Sequence, residues 1–257
     1  MRTIVSILSI LLVSCACAAN ATPARFEAVV PTAQQETNHV WRNLQDIPFF
    51  EQNGYNVSFP AGDLIDALKE KARSGSLTDA DYTALGLFME QQAYRAEDYE
   101  RGYQHVAAEL SSLEAMVNSI EEEAYRWNFR FYNRHQIFLT LYGPGGSYNP
   151  DDGSIILLTN PRGGFRQYAN PANALIHEVV HMGIEESIVQ RLNVPHGLKE
   201  RLVDLFVKAH FGDVLPDYRV QGMGDPEIDS ELPDKDAFNQ LPEVVAAFLS
   251  TRQNDSE

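Results

Sequence analysis

The stretch NALIHEVVHMGIEESIVQRL, residues 173–192, decides what kind of fold this chain can adopt. Its apolar residues recur at helical spacing and its flanks carry start and stop signals. Asn170-Pro171 supplies a capping side chain and a first-turn proline, and Asn193-Val194-Pro195 ends the run. A second helix, GLKERLVDLFVKAHF, starts near Gly197 and ends at Gly212. Within the first helix, His177-Glu178-Val179-Val180-His181 sets two imidazoles one turn apart on one face, so both can reach one cation. Glu178 lies beside them, placed to act on water that the metal activates. The competing reading is an amphipathic helix whose histidines are ordinary surface or half-buried groups, since a short motif of this kind also arises by chance.

Upstream of this helix the pattern is that of a small sheet. Residues 137–142 and 154–159 read as strands around the turn-rich GPGGSYNPDDG of residues 143–153, and a Gly/Pro loop at 160–164 leads to the helix. Earlier still, helical patterning covers residues 63–72, breaks at Ser74-Gly75-Ser76 and restarts at Asp79. From Tyr99 the apolar positions Tyr103, Val106, Leu110, Leu113, Val117, Ile120, Ala124 and Trp127 alternate four and three apart. That seam predicts a long internal backing helix, with a helix dimer as the alternative. Asn53-Gly54, between apolar runs, predicts a hairpin turn. Helices around a small sheet make the class α+β, with a mainly helical region at 19–127 and a core at 128–212.

Two histidines and a water leave a tetrahedral zinc one protein ligand short. At this point the chain resembles the gluzincin-type zincin metallopeptidases, the thermolysin-like and aminopeptidase-like enzymes, whose third ligand is a Glu on the following helix. Eighteen residues separate His181 from Glu200, which lies on that helix here. The family also places an Asp four residues further on, where it orients a ligand imidazole, and Asp204 occupies that position. The resemblance thus implies one zinc held by His177, His181 and Glu200, with Glu178 as the catalytic base. It implies a zincin-like fold in which a small sheet with an edge hairpin packs on backing, active-site and glutamate helices. Gly145, Gly146, Ser147 and Tyr148 take the place of the edge strand that pairs with an extended substrate. The implied activity is zinc-dependent hydrolysis of peptide bonds in a peptide or protein substrate.

The likeness covers residues 129–211 and is specific only at the ligand motif. The metzincin branch requires Gly and His where Ile184 and Ser187 stand, and is excluded. Glu185, on the same helix face as both histidines, is the alternative third ligand, although three ligands spread over two turns of one straight helix converge poorly. Gluzincins add a Tyr or His that donates to the oxyanion. His210 and Tyr218 are the candidates, and a packed role is the plainer reading of each. His196, beside Pro195, reads as a loop or capping residue. A non-catalytic envelope protein that keeps the fold as a binding module is the alternative function.

Composition bounds the rest. The 257 residues are 44% hydrophobic and 22% charged, with a formal net charge of −16, which leaves no basic face for nucleic acid. Residues 1–18 read as a bacterial-type export signal: Arg2, an apolar run, then Ala16-Cys17-Ala18. Leu12-Val13-Ser14-Cys15 also fits a lipoprotein signal that would leave Cys15 lipidated. Periplasmic, envelope-anchored and secreted forms therefore all stay open, as does the oligomeric state. Both cysteines lie in this leader, so neither a disulfide nor a cysteine-based metal site is expected in the folded part. The segment 213–257 is acidic, and DPEIDSELPDKD (225–236) reads as an extended linker before a short helix at 241–249.

Overall fold

Three parallel strands and one antiparallel edge strand form the sheet at the centre of the computed structural model, which describes residues 25–166 and 168–254. Strands β1 (Phe26–Val29), β2 (His135–Thr140), β3 (Ser147–Asn149) and β4 (Ser154–Leu158) lie in the order β1-β2-β4-β3. The architecture is mixed α/β, with helices predominating around this small mixed sheet. The leader and Cys15 lie outside the described residues. Among the described residues no helix is long and apolar enough to cross a membrane.

In β2 and β4, paired in register at Ile137↔Ile155 and Leu139↔Leu157, alternate side chains point into the core, where these four residues are at most 2% exposed. Each such burial contributes about 1.5–3 kcal/mol. Parallel strands need long crossovers, and the one from β1 to β2 carries α1 (Ala33–Gln45), α2 (Ile47–Gln52), α3 (Asp63–Arg73), α4 (Asp79–Phe88) and α5 (Glu100–Glu123). The long predicted helix is α5, and it is internal: Val106, Leu113, Val117 and Ile120 are buried against the sheet and its neighbours. It stops at Ala124, which takes the left-handed conformation (φ 47°), so Trp127 lies beyond it and donates to the Phe238 carbonyl instead.

Helices α1–α4 enclose a second apolar cluster around Val40, Leu44, Ile65, Leu68 and Leu85. Glu36 of α1 ties this unit to the end of β2: its buried carboxylate accepts from the Tyr99 hydroxyl (2.8 Å), Thr140 Oγ1 (3.0 Å) and Leu141 N (3.0 Å). Burial raises its pKa against the lowering effect of those bonds.

Three expectations need correction. Asn53-Gly54 makes no hairpin; it ends α2, with Asn53 Nδ2 donating to the Phe49 carbonyl (2.8 Å) and Gly54 at φ 70°, the chemistry of a helix C-terminus. Within the region 19–127, expected to be mainly helical, Phe26–Val29 form strand β1, and FEAV is too short to show periodicity. The acidic tail is packed, not extended. Short 3₁₀ turns at Pro226–Glu231 and Lys235–Gln240 bury Ile228, Leu232 and Phe238 in the main core, while Arg201 clamps Asp229 through both guanidinium arms (2.7 and 2.5 Å). Single apolar anchors separated by acids carry no periodic signal. Helix α8 (Leu241–Asn254) is the last element of the described residues and is longer than expected.

Candidate metal centre

Helices α6 (Ala172–Ile184) and α7 (His196–Phe211) bring the motif residues together. The Asn170 side chain accepts from Ala172 N (2.7 Å) at the start of α6. Leu175, Ile176, Val179, Val180, Met182 and Ile184 are all buried, as expected of a helix that is apolar all round. Gly183 has a packing reason: a Cβ there would lie 2.0 Å from the Phe129 ring, so glycine lets that ring press against the helix. After Ile184 the chain widens into a π-turn (Glu185–Gln190), which turns Glu185 aside.

His177 Nε2, His181 Nε2 and Glu200 Oε2 form a triangle with edges of 3.0, 3.3 and 3.4 Å. A tetrahedral ion with bonds near 2.0–2.1 Å has ligand–ligand edges of roughly 3.3–3.5 Å, so the three atoms fit one zinc-sized cation. They are the one such group among the described residues. Behind His177, Nδ1 lies 3.3 Å from Asp204 Oδ1 and 2.7 Å from the Tyr218 hydroxyl, which itself donates to Asp204 Oδ1 (2.7 Å). Gln221 N donates to the other oxygen of Asp204 (2.7 Å), and Asp204 is fully buried. A proton fixed on Nδ1 leaves the Nε2 lone pair facing the triangle. The Tyr148 ring stacks on His181 (centroids 5.1 Å apart, 13°) and screens it.

The electrostatics favour a cation at this point. Burial alone would lower His177, yet the carboxylates of Asp204 and Glu200 raise it to about 10. Burial lowers His181 to about 4, the neighbouring His177 charge adding to the effect. Burial would raise Glu200, but the two histidines hold it well below the usual carboxylate range. The cluster therefore stabilises one positive charge among three convergent atoms, and a metal would displace that proton.

Glu178 is buried and accepts no hydrogen bond from the described residues. Burial and then the repulsion of Glu200 push it up to about 7 against the attraction of His177. Its Oε1 would lie 2.4 Å from a Cβ at Gly146, so the carboxylate occupies space that only glycine leaves open. Ser147 and Tyr148 belong to edge strand β3, antiparallel to β4, and Gly145-Gly146 leads into it. Glu185 stands apart from the triangle: it accepts from the Tyr148 hydroxyl (2.8 Å) and Gln190 (3.3 Å).

Neither proposed oxyanion donor faces the cleft as one. Tyr218 lies behind His177, engaged with Asp204, on the side away from the triangle. His210 stacks on Phe206 (4.0 Å), donates to the Phe206 carbonyl (2.8 Å) and meets the Tyr125 hydroxyl, half-buried against the core. The cleft, about 380 Å³, is lined instead by Tyr55, His196 and Lys199. His196 starts α7 rather than a loop, with Nδ1 3.7 Å from Glu200 Oε1 and Nε2 3.1 Å from the Tyr55 hydroxyl. Its four-residue spacing to Glu200 was a usable signal of the same kind as His177 and His181; Tyr55, far away in sequence, had none. Comparison with protein-family models, with curated proteins and with solved structures finds no match for this chain.

Proposed function

We propose that this chain is an exported zinc metallopeptidase of gluzincin type, built on a zincin-like core. The observation that carries the reading is the triangle of His177, His181 and Glu200 atoms at zinc-ligand spacing, with an unengaged buried Glu178 one residue from the first ligand. Two imidazoles and a carboxylate suit zinc, and they leave a coordination position open for chemistry. Bound there, the ion supplies a Lewis acid that lowers the pKa of water and polarises a carbonyl.

The chain's own residues supply the remaining functions. Glu178 takes a proton from the attacking water, holds it in a setting that favours its neutral form, and returns it to the leaving amine. Asp204 and Tyr218 hold His177 in one tautomer and orientation. Tyr55, whose pKa burial and Glu200 raise, stays a neutral hydroxyl, and with His196 it is the donor pair available to a developing oxyanion. The free edge of β3 offers backbone groups to an extended peptide. Export rests on the leader reading of residues 1–18.

The test is Glu178→Gln, with zinc content and cleavage of a broad peptide library measured side by side. The reading expects about one zinc per chain in both proteins and cleavage only in the wild type. Zinc without cleavage in the wild type would favour the binding-module alternative, and absence of zinc would end the proposal.

A further inference from the structure

Lys199 is the one lysine or arginine lining the metal cleft among the described residues. Three other lysines find carboxylates, Lys69 with Asp66 at 3.2 Å, Lys71 with Asp81 at 2.6 Å and Lys235 with Glu123 at 2.9 Å, whereas exposed Lys208 faces none among the described residues. Lys199 also has no such partner within 4.0 Å among the described residues. Its ammonium donates instead to the Tyr148 hydroxyl (3.3 Å) and lies 5.7 Å from that ring's centroid, half-buried at the edge-strand side of the cleft. The Tyr148 hydroxyl gives its own proton to Glu185, so it serves Lys199 only as an acceptor and fixes where the ammonium sits. At least two N–H donors of the ammonium remain uncommitted.

Neither Glu178 nor Glu200 comes within 4.0 Å of the ammonium, and Glu185 meets it only through the Tyr148 hydroxyl that both share, so no carboxylate of the described residues contacts Lys199 directly. On another wall of the same cleft Phe49 and Tyr55 present 51% and 38% of their surface, in ring contact with each other and with Phe50. An occupant that meets these walls needs an apolar body and an anionic end.

We propose that Lys199 is a recognition residue for a substrate carboxylate, so that the cleft selects peptides presenting one near the bond cleaved. This rests on the metallopeptidase reading for the word substrate, but not for the binding itself. Along an extended peptide the carboxylate comes either from the C-terminus or from an Asp or Glu side chain, and one ammonium serves either.

Binding is measured by calorimetry on zinc-loaded Glu178→Gln protein with three probes of matched length: an acylated peptide ending in free Phe, its C-terminal amide, and the amide with an internal Glu. The inference expects at least one carboxylate probe to bind about tenfold or more tightly than the neutral amide. That preference should fall to within about twofold when Lys199→Met is added and be largely kept by Lys199→Arg. The better carboxylate probe identifies the source. Equal binding of all probes, binding of none, or a preference that survives Lys199→Met, and so belongs to the zinc, overturns it. Cleavage of the neutral amide by wild type with no carboxylate preference would leave the peptidase reading standing and remove this inference alone. A Lys199-dependent preference without any cleavage would do the reverse.

Discussion

Gly146→Ala adds one carbon where the Glu178 carboxylate packs against the backbone. The new Cβ would lie 2.4 Å from Glu178 Oε1 and 3.3 Å from its Cδ. An ordinary C···O contact is roughly 3.3 Å or more, so the carboxylate oxygen must retreat by about 0.9 Å. The obstacle is the end of a flexible side chain and Gly146 is not in the left-handed region, so the cost to folding is about 1 kcal/mol or less. Displacement of a proton-transfer group by about 1 Å costs on the order of 100-fold in rate, about 2.7 kcal/mol of barrier. Gly145→Ala is the matched control, because a Cβ there meets nothing within 4 Å. The assay is kcat on any peptide the wild type cleaves, with zinc content and melting temperature alongside. The expected outcome is full zinc occupancy and near-normal melting for both variants, with kcat falling about 100-fold only in Gly146→Ala. Equal activity of the two variants, or loss of zinc in Gly146→Ala, would refute the reasoning that Gly146 exists to make room for Glu178.

Three further outcomes follow from the same geometry. Asp204→Asn keeps the shape but removes the charge that holds His177, so zinc affinity in a chelator competition should fall about 10–100-fold; unchanged affinity would show that Asp204 does not orient the ligand. Stripping zinc from protein kept in free zinc at about a thousandfold over the Kd removes about 4 kcal/mol of linkage stabilisation, lowering the melting temperature by roughly 10 °C; an unchanged melting curve would mean the folded state does not bind the ion. Burial lowers His39 from 6.5 to about 4, with Arg42 adding to the effect against the bond to the Tyr142 carbonyl, so the folded state binds fewer protons than the unfolded one in that interval. The stability involved is complete above pH 6.5 and is lost as pH falls toward 4, up to about 3 kcal/mol. In urea titrations His39→Gln should therefore lose less stability than wild type between pH 7 and 4.5, and equal losses would contradict the assignment.

The parts of the site that could be read in the sequence are those set by local geometry. His177 and His181 four apart, and Glu200 and Asp204 four apart, each fix a shared helix face before any tertiary contact is known. The two helices need only pack face to face for the triangle to close. What escaped had three causes. Tyr55 reaches the cleft through the packing of α1–α4 on the end of β2, held by Glu36, and no local pattern encodes a contact between Tyr55 and His196. His210 failed because six residues past Asp204 is about 240° around the helix, which turns it against the core. Glu185 sits past the end of the α-helix, where the π-turn and the Tyr148 hydroxyl take it away from the histidines. Asn53-Gly54 shows the limit of dipeptide signals, since the left-handed glycine that makes a hairpin also ends a helix.

The most direct measurement is zinc-edge anomalous diffraction from crystals of zinc-loaded protein. The account predicts a single strong peak about 2.0–2.2 Å from His177 Nε2, His181 Nε2 and a Glu200 oxygen, with Glu185 still bonded to Tyr148. A peak bound by Glu185 in place of Glu200, or no peak within reach of the two histidines, would contradict it.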